Sequence, residues 1–335
     1  MHAVITDGTS RIQDVMTGGQ AAPLYLRLMG ALRAGESATA ALDQADAHDP
    51  LDRFLSLLAI YDLSTAPLAE TGDGARWAGA PAVVALKQRL ESAWMAELDA
   101  VPIPDPTPIT LERGMRALAA RDRLPRAYRW LADEADWTEV VQFLAIEGGP
   151  DGGFDDLVAV CQVGLPVVAK RELARNYWDE MGAGDGSRVH TTLHASMAAA
   201  IDMPRIARTQ QPAAALARVA LGGLLATNHW LQPEMVGALG LIELQAGPRC
   251  RMVLRAFDRL GAPRDAYPFY AEHAEVDPRH GRDWLHNAVL PLSAHHPEWA
   301  ARMLRGAWWR SQTNRALFDI LPSLVSGGAG RARVA

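Results

Sequence analysis

The chain has 335 residues, 49% of them hydrophobic and 21% charged, with a net charge of −6. This much apolar material excludes a disordered chain, which combines low hydrophobicity with high net charge. The acidic balance also argues against a nucleic-acid binder, whose electrostatic footprint is basic. No uninterrupted apolar run is long enough to span a bilayer, and Met1 to Asp7 lacks the charged-then-apolar layout of a signal peptide. Cys161 and Cys250 are the only cysteines, too few for a disulfide framework and suited to a reducing compartment. These features predict a soluble, cytoplasmic, globular protein with no nucleic-acid or membrane partner.

In chain order, apolar residues recur at helical spacing, and β-branched runs are few. Pro23 to Leu32 (PLYLRLMGAL) carries such a stripe, and Gly35 follows as a stop signal. Asp49-Pro50 reads as an N-cap and first helical residue before LDRFLSLLAIYDL. The loop Thr71 to Pro81 breaks this first part, and another helix is expected over Ala82 to Leu98. Val101 to Pro108 (VPIPDPTP) holds four prolines in eight residues and cannot sustain a helix. It is expected to divide an N-terminal helical unit, 1–108, from a larger C-terminal one, 109–335. Gly327 to Ala335 (GGAGRARVA) reads as a frayed tail. No strand, hairpin or fixed-period repeat stands out, so the predicted fold class is all-α.

Ala271 to His280 (AEHAEVDPRH) contains His273, Asp277 and His280, an H-x3-D-x2-H pattern. On a helix, positions i, i+4 and i+7 fall within about 60° of one another at 100° per residue. Three side chains able to bind a first-row transition metal then share one stripe, although the neighbouring Glu272 and Glu275 fit a solvated polar face equally well. Glu243 lies in MVGALGLIELQA among apolar neighbours, where burial without a partner is costly. It either reaches solvent, pairs with Arg249 or Arg251, or meets a metal. Upstream, the first half of Lys170 to His194 reads as a helix ending near Gly182-Ala183-Gly184, with Asp179 and Glu180 in its last turn. Acids are unfavourable at that end of the macrodipole, so these two, followed by a Gly-rich break and His190, indicate a site that overrides local preference. His194, one turn after His190, reads as a surface or supporting residue. Glu147 closes the apolar run WTEVVQFLAI before a glycine-rich break, where a capping role is ordinary. Asp155 and Asp156 suit the start of the next helix.

The run ELARNYWDEMGAGDGSRVH, then Glu243, then the H-x3-D-x2-H helix, resembles the haem-oxygenase-like diiron oxidases, also described as iron-containing redox enzymes. The resemblance implies a seven-helix core over roughly Thr110 to Pro322, to which the N-terminal helical unit is an addition. It places metal ligands at Glu147, Glu180, His190, Glu243, His273, Asp277 and His280. The gaps of ten from Glu180 to His190 and of thirty from Glu243 to His273 are similar to those of the N-oxygenating members. Carboxylates mixed with imidazoles suit iron or manganese rather than a thiolate zinc site, and helical bundles build dinuclear centres from facing helices.

The implied cofactors are two iron ions, or an iron/manganese pair, with dioxygen as co-substrate. The implied activity is oxidation of a small molecule, first an amino acid or amine, in specialised metabolism. An external electron donor and a homodimer are the expected partners. A fatty-acid decarboxylase on the same site, or a non-enzymatic helical binding module, are the alternatives. Lys170, Arg175, Tyr177 and Arg249 lie near ligand segments and are candidates for substrate contact, although such arginines and lysines are more often surface or structural charges. Pro278, between Asp277 and His280, is expected to kink or loosen the ligand helix when metal is absent.

Overall fold

The computed structural model describes residues 23–35, 42, 49–104, 110–148 and 153–332, and among them there is no β-strand. In chain order the α-helices longer than four residues are α1 (Pro23–Ala34), α2 (Pro50–Thr65), α3 (Pro81–Asp99), α4 (Leu111–Arg121) and α5 (Arg126–Asp133). They continue as α6 (Trp137–Glu147), α7 (Phe154–Cys161), α8 (Val167–Glu180), α9 (His190–Ala200) and α10 (Ala213–Ala226). The last five are α11 (Gln232–Leu260), α12 (Tyr267–Trp284), α13 (Leu290–His295), α14 (Trp299–Phe318) and α15 (Leu321–Ala332). No helix among the described residues is long and apolar enough to cross a membrane. The all-α expectation is met.

Two compact units emerge, one from residues up to Ala100 together with Ala207–Thr227, the other from Val101–Ile206 with Asn228 onward. The N-terminal unit thus includes α10, which the sequence reading kept in the C-terminal part. Its helix starts follow the sequence signals. The Asp49 side chain accepts from the backbone N–H groups of Leu51 (2.8 Å) and Asp52 (3.2 Å), with Pro50 at the first helical position. Asp52 is buried because it in turn accepts from Leu24 and Tyr25 N–H at 2.9 and 2.8 Å, satisfying the orphan donors at the start of α1. Phe54 meets Trp94 edge-on at 4.9 Å in the core. Gly223 brings α10 against the Tyr61 ring, where a Cβ would come within 2.2 Å of it. The expected loop over 71–81 is instead a 3-10 turn, Gly72–Gly79.

In the second unit α11 is the central element, packed on α12 along one side and α14 along the other. Missing side chains let these backbones meet. A Cβ on Gly237 would stand 1.8 Å from Met303 O, and one on Gly306 would stand 1.9 Å from Glu234 O. Glu234 is fully buried between Arg302 (2.7 Å) and Arg305 (3.1 Å). Between α11 and α12 the same device recurs: a Cβ on Gly281 would meet Glu243 O and the Leu244 backbone at 2.8 Å.

Where Pro278 was expected to kink or loosen the helix, α12 continues through it as helix from Tyr267 to Trp284. Proline leaves the carbonyl four residues back without its helical donor. Arg251 Nη1 supplies the replacement, donating to Ala274 O at 2.9 Å. A π-helical turn, Leu285–Val289, follows α12 instead. The helix α15 likewise continues to Ala332 through the glycines read as a frayed tail, and 333–335 lie outside the described residues. Part of the Pro-rich segment, 105–108, also lies outside them, as does 109.

Candidate metal centre

Helices α8, α9, α11 and α12 supply the site. Glu180 is the last residue of α8 and His190 the first of α9. The loop between them turns through three consecutive left-handed residues, Gly182 (φ 67°), Ala183 (φ 52°) and Gly184 (φ 93°). Only glycine takes that conformation without strain, which accounts for two of the three. The chain then folds back so tightly that a Cβ on Gly182 would touch Arg188 and Val189 backbone atoms at 2.7–2.8 Å. Two residues ten apart in sequence thereby meet, with His190 Nδ1 2.6 Å from Glu180 Oε2.

Two overlapping groups of potential ligands result: Glu180, His190 and His273 in one, Glu180, Glu243 and His280 in the other. Within each group the donor atoms lie within 4.8 Å of one another, and Glu180 belongs to both. All are buried except His273, which is partly so. Asp277 joins the second group from one side, its Oδ1 3.8 Å from His280 Nδ1, and Glu243 Oε2 lies 3.7 Å from the same nitrogen. The one-stripe expectation for His273, Asp277 and His280 holds, because α12 stays helical across them.

Glu147 ends α6 half-buried and is in neither group. Its charge reaches Cys250 and Tyr270, and Cys250 also feels Asp277, which puts Glu147 at the edge of this neighbourhood. Asp155 starts α7 as expected, and the Glu180 charge is among those that raise its pKa, after burial and Asp156.

The contacts of the histidines orient them. His273 Nδ1 is 2.7 Å from Phe269 O. A carbonyl only accepts, so the proton sits on Nδ1 and leaves Nε2 as the free lone pair. Its ring packs on Phe269 at 4.4 Å and on His190 at 4.3 Å. His280 Nε2 is 2.9 Å from Asp179 Oδ2, and Arg279 Nη2 donates to that same oxygen at 2.7 Å. Asn176, one turn before Glu180, donates through Nδ2 to Glu243 Oε1 at 2.7 Å. It was not anticipated from the sequence, where an Asn inside a helix is unremarkable. Its four-residue spacing from Glu180 was the available signal.

Electrostatically the site wants a cation. Burial, then the charge of Glu180, pushes the Glu243 carboxyl up to about 8. Asp277 is raised well above the usual carboxylate range by burial and by Glu243 and Glu180. Burial, then His190, pushes His273 down to about 4. Burial is the first cause of each shift; a bound divalent ion would reverse the two carboxyl shifts and favour the same neutral, lone-pair form of His273 that burial favours. The hydrogen bonding agrees. His190 Nδ1, His280 Nδ1, Asp277 Oδ2 and Asn176 Oδ1 are buried without a hydrogen-bond partner. His190 Nδ1 has this status despite standing 2.6 Å from Glu180, because the pair is close but not aligned for a hydrogen bond, as two atoms facing a common ion would be. The residues therefore fit a metal.

The four candidates for substrate contact are placed as follows. Lys170 is exposed, and Tyr177 is half-buried beside Asn176. Arg175 is exposed and pairs with Glu172 and with Asp283 at 3.4 Å. Arg249 is buried and bound into the fold, donating to Asp122 O and Gln245 Oε1 at 2.7 Å and lying over the Phe318 ring.

A family model described as "iron-containing redox enzyme" matches residues 143–315, and the chain belongs to that family. The match runs from within α6 into α14 and takes in all seven residues to which the resemblance assigned ligand roles. This supports oxidoreductase activity and iron as the metal. Comparison with curated proteins gives no match.

Proposed function

We propose that the chain is a non-haem diiron enzyme that uses dioxygen to oxidise a small amine or amino acid. The observation that carries this reading is the pair of ligand groups, buried except for His273, joined by one shared carboxylate, Glu180. Two ions sharing a carboxylate sit close enough to act on one substrate, and mixed Glu, Asp and His donors suit iron. Two irons held by these residues would supply dioxygen activation and the redox change that oxidation of substrate requires.

The protein's own residues determine how that chemistry is held. Glu180 is fixed at the end of α8 and belongs to both groups. Asn176 holds one oxygen of Glu243 and leaves Oε2 turned toward His280. Glu180, Glu243 and Asp277 balance the positive charge that the buried pocket would otherwise exclude. Phe269 covers His273 and also meets the edges of His194 and Tyr270, at 5.1 and 5.0 Å, walling one side against water.

The choice of an amine or amino acid rests on the ligand spacing and on the polar surroundings of the second group. Those surroundings include Asn176, Asp179 and Arg279. An acyl chain would need an apolar wall there. The test is dioxygen uptake by ferrous-loaded protein against a panel of amino acids, amines and fatty acids, with products read by mass. An amine or amino acid that accelerates uptake and emerges oxidised, with the effect lost in His190→Ala, is the expected result. Acceleration by fatty acids alone would replace this reading with the acyl alternative.

A further inference from the structure

We propose that Asp179 is a positioning residue: by holding the Nε2 proton of His280, it presents Nδ1 as the metal-binding lone pair and sets the affinity of the Glu180/Glu243/His280 position. This rests on the metal-centre reading above. Three observations converge on it. First, the two nitrogens of His280 are unequal. Nε2 faces Asp179 Oδ2 at 2.9 Å, whereas Nδ1 is buried, lacks a hydrogen-bond partner, and lies 3.7 and 3.8 Å from Glu243 and Asp277. A carboxylate that accepts from one ring nitrogen fixes the proton there and leaves the other free to ligate, while raising its basicity.

Second, Asp179 is itself held. Arg279 Nη2 donates to the same Oδ2 at 2.7 Å and so holds the side chain facing His280. Third, Asp179 precedes Glu180 in the last turn of α8, while Arg279 precedes His280 in α12. The Asp179–His280 bond therefore ties the shared carboxylate and the imidazole into one unit across two helices. This explains why an acid occupies a helix C-terminus, a place that otherwise disfavours it.

The test is titration of the metal-free chain with Co(II), followed by its d–d absorption. It is joined to long-range nitrogen–proton correlation spectra of the histidines before any metal is added. The parent is expected to bind two equivalents and to hold His280 with its proton on Nε2. Asp179→Ala should keep one equivalent at parental affinity, bind the other about 10–100-fold more weakly, and lose the single tautomer. Arg279→Ala removes the same interhelical ion pair but leaves the Asp179–His280 bond, and should change both affinities by less than the alanine variant does. An equal effect of the two substitutions, as a merely structural ion pair would give, overturns the proposal. So does a parent His280 protonated on Nδ1, a result that needs no variant to fold. Two equivalents at unchanged affinity in Asp179→Ala would overturn it while leaving the dinuclear reading intact. A parent that binds no Co(II) would instead overturn the metal-centre reading itself.

Discussion

At the scale of single residues, the site is defined by polar atoms that the fold buries and does not satisfy. Glu243 and Asp277 were visible in the sequence as acids among apolar or helical-stripe positions, and burial is what makes them expensive without a counter-charge. Asn176 is the member that sequence could not single out, since its role appears only when α8 is laid against α11. It is bonded to Glu243 within the buried region. Replacing it by alanine leaves that carboxyl without its donor and should cost the metal-free protein about 1–3 kcal/mol in urea unfolding. An unchanged unfolding midpoint would show that the Asn176–Glu243 bond does not hold the ligand. Arg249 teaches the opposite lesson: proximity in sequence to a ligand made it a candidate for substrate contact, and the structure uses it to bind a backbone carbonyl and a glutamine.

At the scale of elements, helix signals in the sequence translated directly where capping chemistry was local. The Asp49-Pro50 start and the Gly35 stop, whose N–H bonds Ala31 O at 3.0 Å, are examples. They say less where a distant residue intervenes. At Pro278 α12 stays helical, and Arg251, on a neighbouring helix, takes the carbonyl that proline abandons. Nothing near Pro278 in sequence announces that. The close approach of α11 and α12 was equally hidden, because a glycine within a helical pattern reads locally as a weakness. Gly281→Ala places a methyl against Glu243 and Leu244 backbone, which cannot move aside as a flexible side chain can. It is predicted to destabilise by about 1–3 kcal/mol and to weaken metal binding with it. Gly79→Ala, where nothing lies within 4 Å of the added Cβ, is the control and should be close to neutral. Equal effects at the two positions would refute the packing argument.

At the scale of the whole molecule, the all-α class and the family were legible because both rest on residues repeated or clustered along the chain. The grouping of α10 with the N-terminal unit was not, since a linear reading assigns each segment to the neighbours it has in sequence. The electrostatics of the centre also act on the stability of the entire fold. Glu243 keeps its proton in the folded, metal-free chain up to about 8, against an ordinary 4.5, and Asp277 is displaced the same way. Between those values the folded state binds more protons than the unfolded one, so stability falls as pH rises. His273, pushed down to about 4 from 6.5, acts in the reverse sense, adding stability as pH rises through that lower window and nothing above it. From pH 6.5 to 8 the carboxylates alone remain, and the melting temperature of the metal-free protein should decline. Mn(II), which favours the ionised acids, should raise it by more at pH 8 than at 6.5; a gain that shrinks with pH would contradict the electrostatic account. The central claim is that one shared carboxylate joins two ligand groups into a dinuclear iron centre. Anaerobic ferrous titration of the intact chain beside Glu180→Ala tests it most directly. Two irons per chain in the parent, with both positions lost or severely weakened in the variant, is the predicted result. A parent that binds no iron, or a variant that still binds one iron at parental affinity, would contradict it.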